Sequence, residues 1–230
     1  MNHNVMKVYK NLLVFINIKN KKKMIEINYN DVLNTDVSFL LKYYNNIGHI
    51  QTAQNNTLPS LQHYKLLTYL SYKFDNTLII DAGTHQGISA ICLAQNKNNK
   101  VITYDIENKN LNGLLWENQH TSFGLDYPNL LFKNKDILTE SEEIFLASKF
   151  IFFDTVHDGT HEILFTNLIE KMNYNGYILC DDIFSPSHNN MLNWWESLKW
   201  VKHDLTKIGH ITGSGLLDCA NNGIKIIKNI

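Results

Sequence analysis

Carboxylates recur at the ends of apolar runs in this chain. Asp81 closes Leu78-Ile-Ile, Asp105 closes Val101-Ile-Thr-Tyr, and Asp136 follows Leu130-Leu-Phe. Asp154 closes Phe150-Ile-Phe-Phe, and the pair Asp181-Asp182 closes Tyr177-Ile-Leu-Cys. Each one alone reads equally as a helix cap or turn former. Together they read as one acidic rim. If Asp154 and Asp181-Asp182 end neighbouring strands, ~4.8 Å apart, their charges repel by ~4 kcal/mol at an effective dielectric near ~20. A proton, a lysine or a divalent cation must offset that repulsion, and an all-oxygen set of Asp154, Asp181 and Asp182 suits Mg²⁺. His157 follows Asp154 closely enough to serve as a general base; as a helix-start residue bonded to backbone it would be structural.

A glycine turn lies upstream. After Leu78-Ile-Ile-Asp81 come Gly83, Thr84 and Gly87, then Ile88, Ile91 and Leu93 on an apolar face. This is strand, turn and helix, with glycines that let backbone approach a ligand and a helix N-terminus that offers N–H groups. A dinucleotide site wants G-x-G-x-x-G; here three residues separate Gly83 from Gly87. Asp81 ahead of the first glycine would repel a pyrophosphate and suits a cationic ligand such as S-adenosylmethionine, with its ammonium and sulfonium groups. Asp105, with Glu107 behind it, is placed to accept both hydroxyls of a ribose.

The elements that must position these residues alternate. Strands are expected at Leu78–Asp81, Lys100–Asp105, Leu130–Phe132, Lys149–Asp154 and Tyr177–Asp181, with helices around Leu111–Trp116, Glu140–Ala147 and His161–Met172. That period means a parallel sheet with right-handed crossovers. Before it, Asn30 to about Lys73 is helical in pattern: Asn30 or Asp31 caps one segment, and Ser60 caps Leu61–Leu70. His49 and His63 read as surface or helix-packing residues. After Asp182, Asn189–Leu198 reads as a helix, and Trp200–Leu205 with Ile224–Ile227 as an antiparallel hairpin around a glycine-rich stretch, Gly209–Gly215.

The Asp81-x-Gly83 turn resembles motif I of the class I S-adenosylmethionine-dependent methyltransferases, and the terminal hairpin resembles their fold. The segment Asp154-Thr-Val-His157-Asp-Gly-Thr-His161, followed by Asn175-Gly176 and Tyr177-Ile-Leu-Cys-Asp-Asp182, is similar to the metal-dependent O-methyltransferases of the catechol, caffeoyl-CoA, macrolide-sugar and cephalosporin-hydroxylase-like types. The resemblance implies an α/β, doubly wound, mostly parallel sheet with a C-terminal antiparallel hairpin. It implies that Asp81, Gly83, Thr84 and Gly87 hold the methionine part of the cofactor, Asp105 the ribose and Asp136 the adenine amino group. Asp154, Asp181 and Asp182 become metal ligands and His157 the base. Many relatives carry an acid where this chain has Val156, and the catechol type often has Asn at the position of Asp182.

Composition sets the bounds. A chain of 230 residues suits one domain: a tail over 1–29, open to disorder and with Met24 as an alternative start, helices over 30–75, and the cofactor domain over 76–230. The formal net charge of −1 gives no drive toward nucleic acid or an anionic membrane. Cys92, Cys180 and Cys219 lack C-x-x-C spacing and read as core thiols of a cytoplasmic protein. Leu12–Ile16 between lysines faintly resembles a signal peptide but lacks a cleavage site, and no run reaches a membrane span. His161 reads as structural, His210 as a residue near the sheet edge, and Phe184, Trp194 and Trp195 as pocket wall or core. The expected reaction is Mg-assisted methylation of a hydroxyl on a small sugar-like or catechol-like acceptor, by a protein whose association into a homo-oligomer is left open. Its competitors are a non-catalytic cofactor-binding or assembly protein and, more remotely, a nicotinamide-dependent oxidoreductase.

Overall fold

Runs that are apolar at every position become strands covered on both faces. The computed structural model describes residues 24–46, 59–85, 87–106, 126–184 and 189–228. Its main sheet has seven strands in the order β4-β3-β2-β5-β6-β8-β7. They are β2 (Leu78–Ala82), β3 (Lys100–Asp105), β4 (Leu130–Asn134), β5 (Ser148–Phe153), β6 (Tyr177–Asp181), β7 (Val201–Asp204) and β8 (Ser214–Asp218). All neighbours pair in parallel except β8, which runs antiparallel to both β6 and β7.

Side-chain alternation along the strands separates two cores. Ile79, Phe150, Phe152, Leu179 and Leu216 face one side, where α2 (Pro59–Lys73) and α3 (Ile88–Leu93) bring Leu66, Leu67, Leu70 and Ile91. Leu78, Ile80, Ile151, Phe153, Ile178 and Leu217 face the other, packed by α4 (Glu142–Ala147), α5 (Thr160–Lys171) and α6 (Asn189–Ser197) through Phe145, Phe165, Ile169, Met191, Trp194 and Trp195. The sheet order reverses between β2 and β5, so their carboxyl ends form the topological switch point where open α/β sheets bind ligands.

Several expectations need correction. The tail does not reach residue 29: β1 (Ile25–Asn28) is a strand with Ile25 and Ile27 buried, followed by α1 (Tyr29–Leu33), which Asn28 caps, and a 3₁₀ segment over Ser38–Asn46. The helical pattern of 30–73 is therefore broken into pieces. The C-terminal hairpin is β7 with β8, not β7 with Ile224–Ile227. The latter strand, β9, pairs in parallel with β1 in a separate two-stranded sheet. The glycine-rich stretch thus supplies a buried strand, because Gly215 leaves room for Trp195, whose ring lies 2.5 Å from where a Cβ would stand. The expected helix at Leu111–Trp116, Glu107 and His49 lie outside the described residues. Among the described residues, no helix is long and apolar enough to cross a membrane.

Candidate active site at the carboxyl edge of the sheet

The first half of the site is the turn after β2. Gly83 and Thr84 both donate backbone N–H to the Tyr104 carbonyl, at 2.9 and 3.1 Å, which ties the turn to β3. The Thr84 hydroxyl meets that of Thr103. Gly83 and Gly87 hold φ of 100° and 81°, in the left-handed region that disfavours a Cβ. Asp105 ends β3 and accepts the His85 N–H at 2.8 Å. Asp81 lies beneath the turn, 0% exposed, accepting from Thr103 Oγ1 at 2.6 Å and Ser89 Oγ at 3.2 Å. Burial pushes its carboxyl up to about 7 against those two hydrogen bonds, and the charges of Asp154 and Asp105 add to the rise. Its Oδ1 is buried without a partner, an acceptor that fits the ammonium of a methionine moiety.

The second half gathers at the ends of β5 and β6. These strands pair Phe153 with Cys180, so Asp154, just past β5, stands beside Asp181, the last residue of β6. His157 Nε2 lies 2.8 Å from Asp154 Oδ1 and 3.6 Å from Asp182 Oδ2. Burial opposes charge on this imidazole, but the Asp154 hydrogen bond and the charges of Asp154, Asp182 and Glu162 hold its pKa above the ordinary value. Glu162, 0% exposed, accepts the backbone N–H of His157 at 3.1 Å and of Gly159 at 2.8 Å, clamping the loop that carries the histidine. His157 and Asp182 take φ of 57° and 56°, where His and Asp are tolerated better than most side chains.

Asp181 is 5% exposed. Burial, then the charges of Asp154 and Asp182, drive its carboxyl well above the usual range. Asp182 behaves oppositely. Burial again raises it, yet His210, Thr212 and the charge of His157 hold it at about 2. His210 Nδ1 sits 3.1 Å from Asp182 and 3.4 Å from Asp181, and the Thr212 hydroxyl donates to Asp182.

His63 is 6% exposed, on the buried side of α2, and faces Asp181 Oδ1 at 3.8 Å. Burial, with the His210 charge, lowers its pKa to about 4, so the contact joins a neutral imidazole to an acid and is not an ion pair. Among the described residues, two sets of groups are spaced to hold one ion: His63, Asp154 and Asp181, and Asp181, Asp182 and His210. The expected set of Asp154, Asp181 and Asp182 is divided between them, with Asp181 common to both. His63 Nδ1 and Asp181 Oδ1 are buried without hydrogen-bond partners, the atoms a cation would use.

The sequence-predicted residues therefore form two adjacent groups: Asp81, Gly83, Thr84, Gly87 and Asp105 on one side, and Asp154, His157, Asp181 and Asp182 on the other. Asp136 caps the 3₁₀ turn Ile137–Thr139 through the Leu138 N–H at 2.8 Å and lies 3.9 Å from His161 Nε2. His161 bonds the Thr155 hydroxyl at 2.8 Å and stacks on Phe153, as a structural residue does. Trp194 and Trp195 belong to the core, whereas Phe184 is exposed. Sequence reasoning missed His63 and Glu162. The spacing of His63 with Leu66, Leu67 and Leu70 on one helical face was the available signal for the first.

No protein-family profile and no curated protein sequence matches the chain. Solved structures do. A methyltransferase of Podospora anserina bound to S-adenosylhomocysteine has a TM-score of 0.54 at 12% identity, over 94% of this chain and 97% of that one. A caffeoyl-CoA O-methyltransferase candidate from Staphylococcus aureus gives 0.52 at 14% identity, over 78% and 96%. A methyltransferase from Geobacter sulfurreducens gives 0.50 at 14%, over 80% and 96%. At these identities the likeness is one of fold. This chain has the Rossmann-like fold of the class I methyltransferases.

Proposed function

We propose that the chain transfers a methyl group from S-adenosylmethionine to a hydroxyl of a small, polyhydroxylated, sugar-like or catechol-like acceptor, with a divalent cation among its acids. One observation carries this reading: the cofactor-type turn and the acid–histidine cluster are in backbone contact. Asp154 N donates to the Ala82 carbonyl at 2.9 Å, and a Cβ on Gly83 would lie 1.5 Å from the Asp154 carbonyl oxygen. A donor seated on the turn therefore meets an acceptor seated at the cluster. Holding two reactants in line supplies ~7–11 kcal/mol of a barrier.

S-adenosylmethionine supplies a methyl group on a sulfonium; as the acceptor oxygen forms the C–O bond, the C–S electron pair stays with sulfur. Asp105 orients the ribose, Asp81 and the Gly83–Gly87 turn take the methionine part, and Asp136 is assigned to the adenine amino group. A divalent cation would be held by Asp154 and Asp181 with Asp182 beside them, where it supplies Lewis acidity toward a hydroxyl; carboxylates alone suit Mg²⁺. His157 receives the hydroxyl proton. Asp154 accepting from Nε2–H favours the tautomer in which Nδ1 is basic and steadies the imidazolium that forms. The three cysteines are unpaired thiols, which suits the cytoplasm we assign as its setting.

The test is Asp154→Ala. Binding of S-adenosylhomocysteine should persist while methyl transfer to polyhydroxylated acceptors is lost. Protection of the wild type against heat by NAD and not by S-adenosylmethionine would overturn the reading.

A further inference from the structure

We infer that the cation site takes a nitrogen ligand from His63, and so selects a borderline first-row transition ion over Mg²⁺. The inference rests on the cation of the proposed function and concerns its identity. His63 enters from α2, outside the strand-end loops, and points its Nδ1 at Asp181 Oδ1 across 3.8 Å. That is too long for a hydrogen bond. Both atoms are buried with no hydrogen-bond partner, and a buried polar atom left unsatisfied is destabilising. Two orphaned atoms of one site, facing each other just beyond hydrogen-bond range, are the mark of a shared third party.

The spacing suits an ion. Two ligand atoms each ~2.1 Å from one metal lie at most ~4.2 Å apart, which the 3.8 Å between His63 and Asp181 satisfies, and a carboxylate oxygen of Asp154 stands within 4.8 Å of both, near enough to close on a shared ion. The imidazole is held on several sides by rings: Phe152, His210 and Tyr64 have centroids 5.3, 5.4 and 5.5 Å away. A ligand so packed is oriented before the ion arrives. Imidazole beside carboxylates suits Mn²⁺, Co²⁺ or Zn²⁺, whereas Mg²⁺ prefers oxygen and gives up its waters reluctantly.

The experiment uses chelator-treated full-length protein and calorimetric titration with Co²⁺, Mg²⁺ and S-adenosylhomocysteine. Co²⁺ should bind at least about 100-fold more tightly than Mg²⁺, and His63→Leu should weaken Co²⁺ at least about tenfold while leaving Mg²⁺ and S-adenosylhomocysteine unchanged. Equal Co²⁺ affinity in the variant, or Mg²⁺ binding as tight as Co²⁺, overturns the inference. A wild-type measurement guards against a variant that does not fold. Bound Cu²⁺ with ascorbate and peroxide should oxidise His63, seen by peptide mass spectrometry and blocked by Zn²⁺; an untouched His63 counts against the ligand role. If Co²⁺ behaves as expected but S-adenosylhomocysteine does not bind, the methyl-transfer reading fails and the ligand assignment stands. If S-adenosylhomocysteine binds and Co²⁺ is indifferent to His63, the reverse holds.

Discussion

Gly83 is pressed against Asp154: a Cβ at Gly83 would stand 1.5 Å from the Asp154 carbonyl oxygen, with φ at 100°. The two ends of the switch point are thus one mechanical unit, and the cofactor-type turn cannot shift without moving the residue that holds His157.

Gly83→Ala should therefore damage both halves together. The left-handed backbone costs ~1–3 kcal/mol for a non-glycine residue, and relief of the overlap displaces Asp154. Urea unfolding should show a loss of at least about 2 kcal/mol. S-adenosylhomocysteine binding and methyl transfer should fall with it.

His157→Gln removes the proton acceptor but leaves the turn intact. The turnover number should drop by about 10²–10⁴, with S-adenosylhomocysteine affinity unchanged. Steady-state kinetics beside direct binding separates these quantities.

Asp181→Asn should trade activity for stability. The carboxyl is buried between Asp154 and Asp182, whose charges disfavour its ionisation. An amide of the same shape removes that repulsion. In a chelator the variant should unfold at a higher temperature, by a gain of order 1 kcal/mol, while turnover with added metal falls.

Glu140 gives a pH test away from the site. Its carboxylate accepts from Lys133 at 2.6 Å, Lys135 at 3.1 Å and Tyr104 at 2.9 Å. Partial burial raises its pKa, but these bonds and the Ser141 N–H win and hold it at about 2, below the ordinary 4.5. Its contribution is complete above the unfolded value and is lost as pH falls through the folded one. Glu140→Gln should cost about 1–3 kcal/mol at pH 7. The gap from wild type should close between about pH 4.5 and about pH 2 in urea titrations.

The central parallel strands were legible because they are buried on both faces, so Leu78–Ile80 and Tyr177–Cys180 appear as unbroken apolar runs closed by Asp81 and Asp181. Strand β8 was hidden. Ser214-Gly215 looks like loop, and only the ring of Trp195 shows why a glycine belongs in that strand. The pairing of β9 with β1 joins Ile224 to Ile25 across almost the whole chain, and no local pattern announces such a partner. The acids were readable because a carboxylate recurs at or just past the end of each parallel strand of the main sheet. His63 and Glu162 were not, since one needs the docking of α2 and the other the folding of a helix back onto its own loop.

In the proposed reaction the turn from Gly83 to Gly87 and the acid at the end of β3 seat S-adenosylmethionine. Calorimetric titration of the wild type and of Asp105→Ala measures this most directly. The wild type should show one site per chain, with S-adenosylhomocysteine competing for it, and the variant an affinity at least about tenfold weaker. Equal affinity in both proteins, or no heat of binding in the wild type, would contradict it.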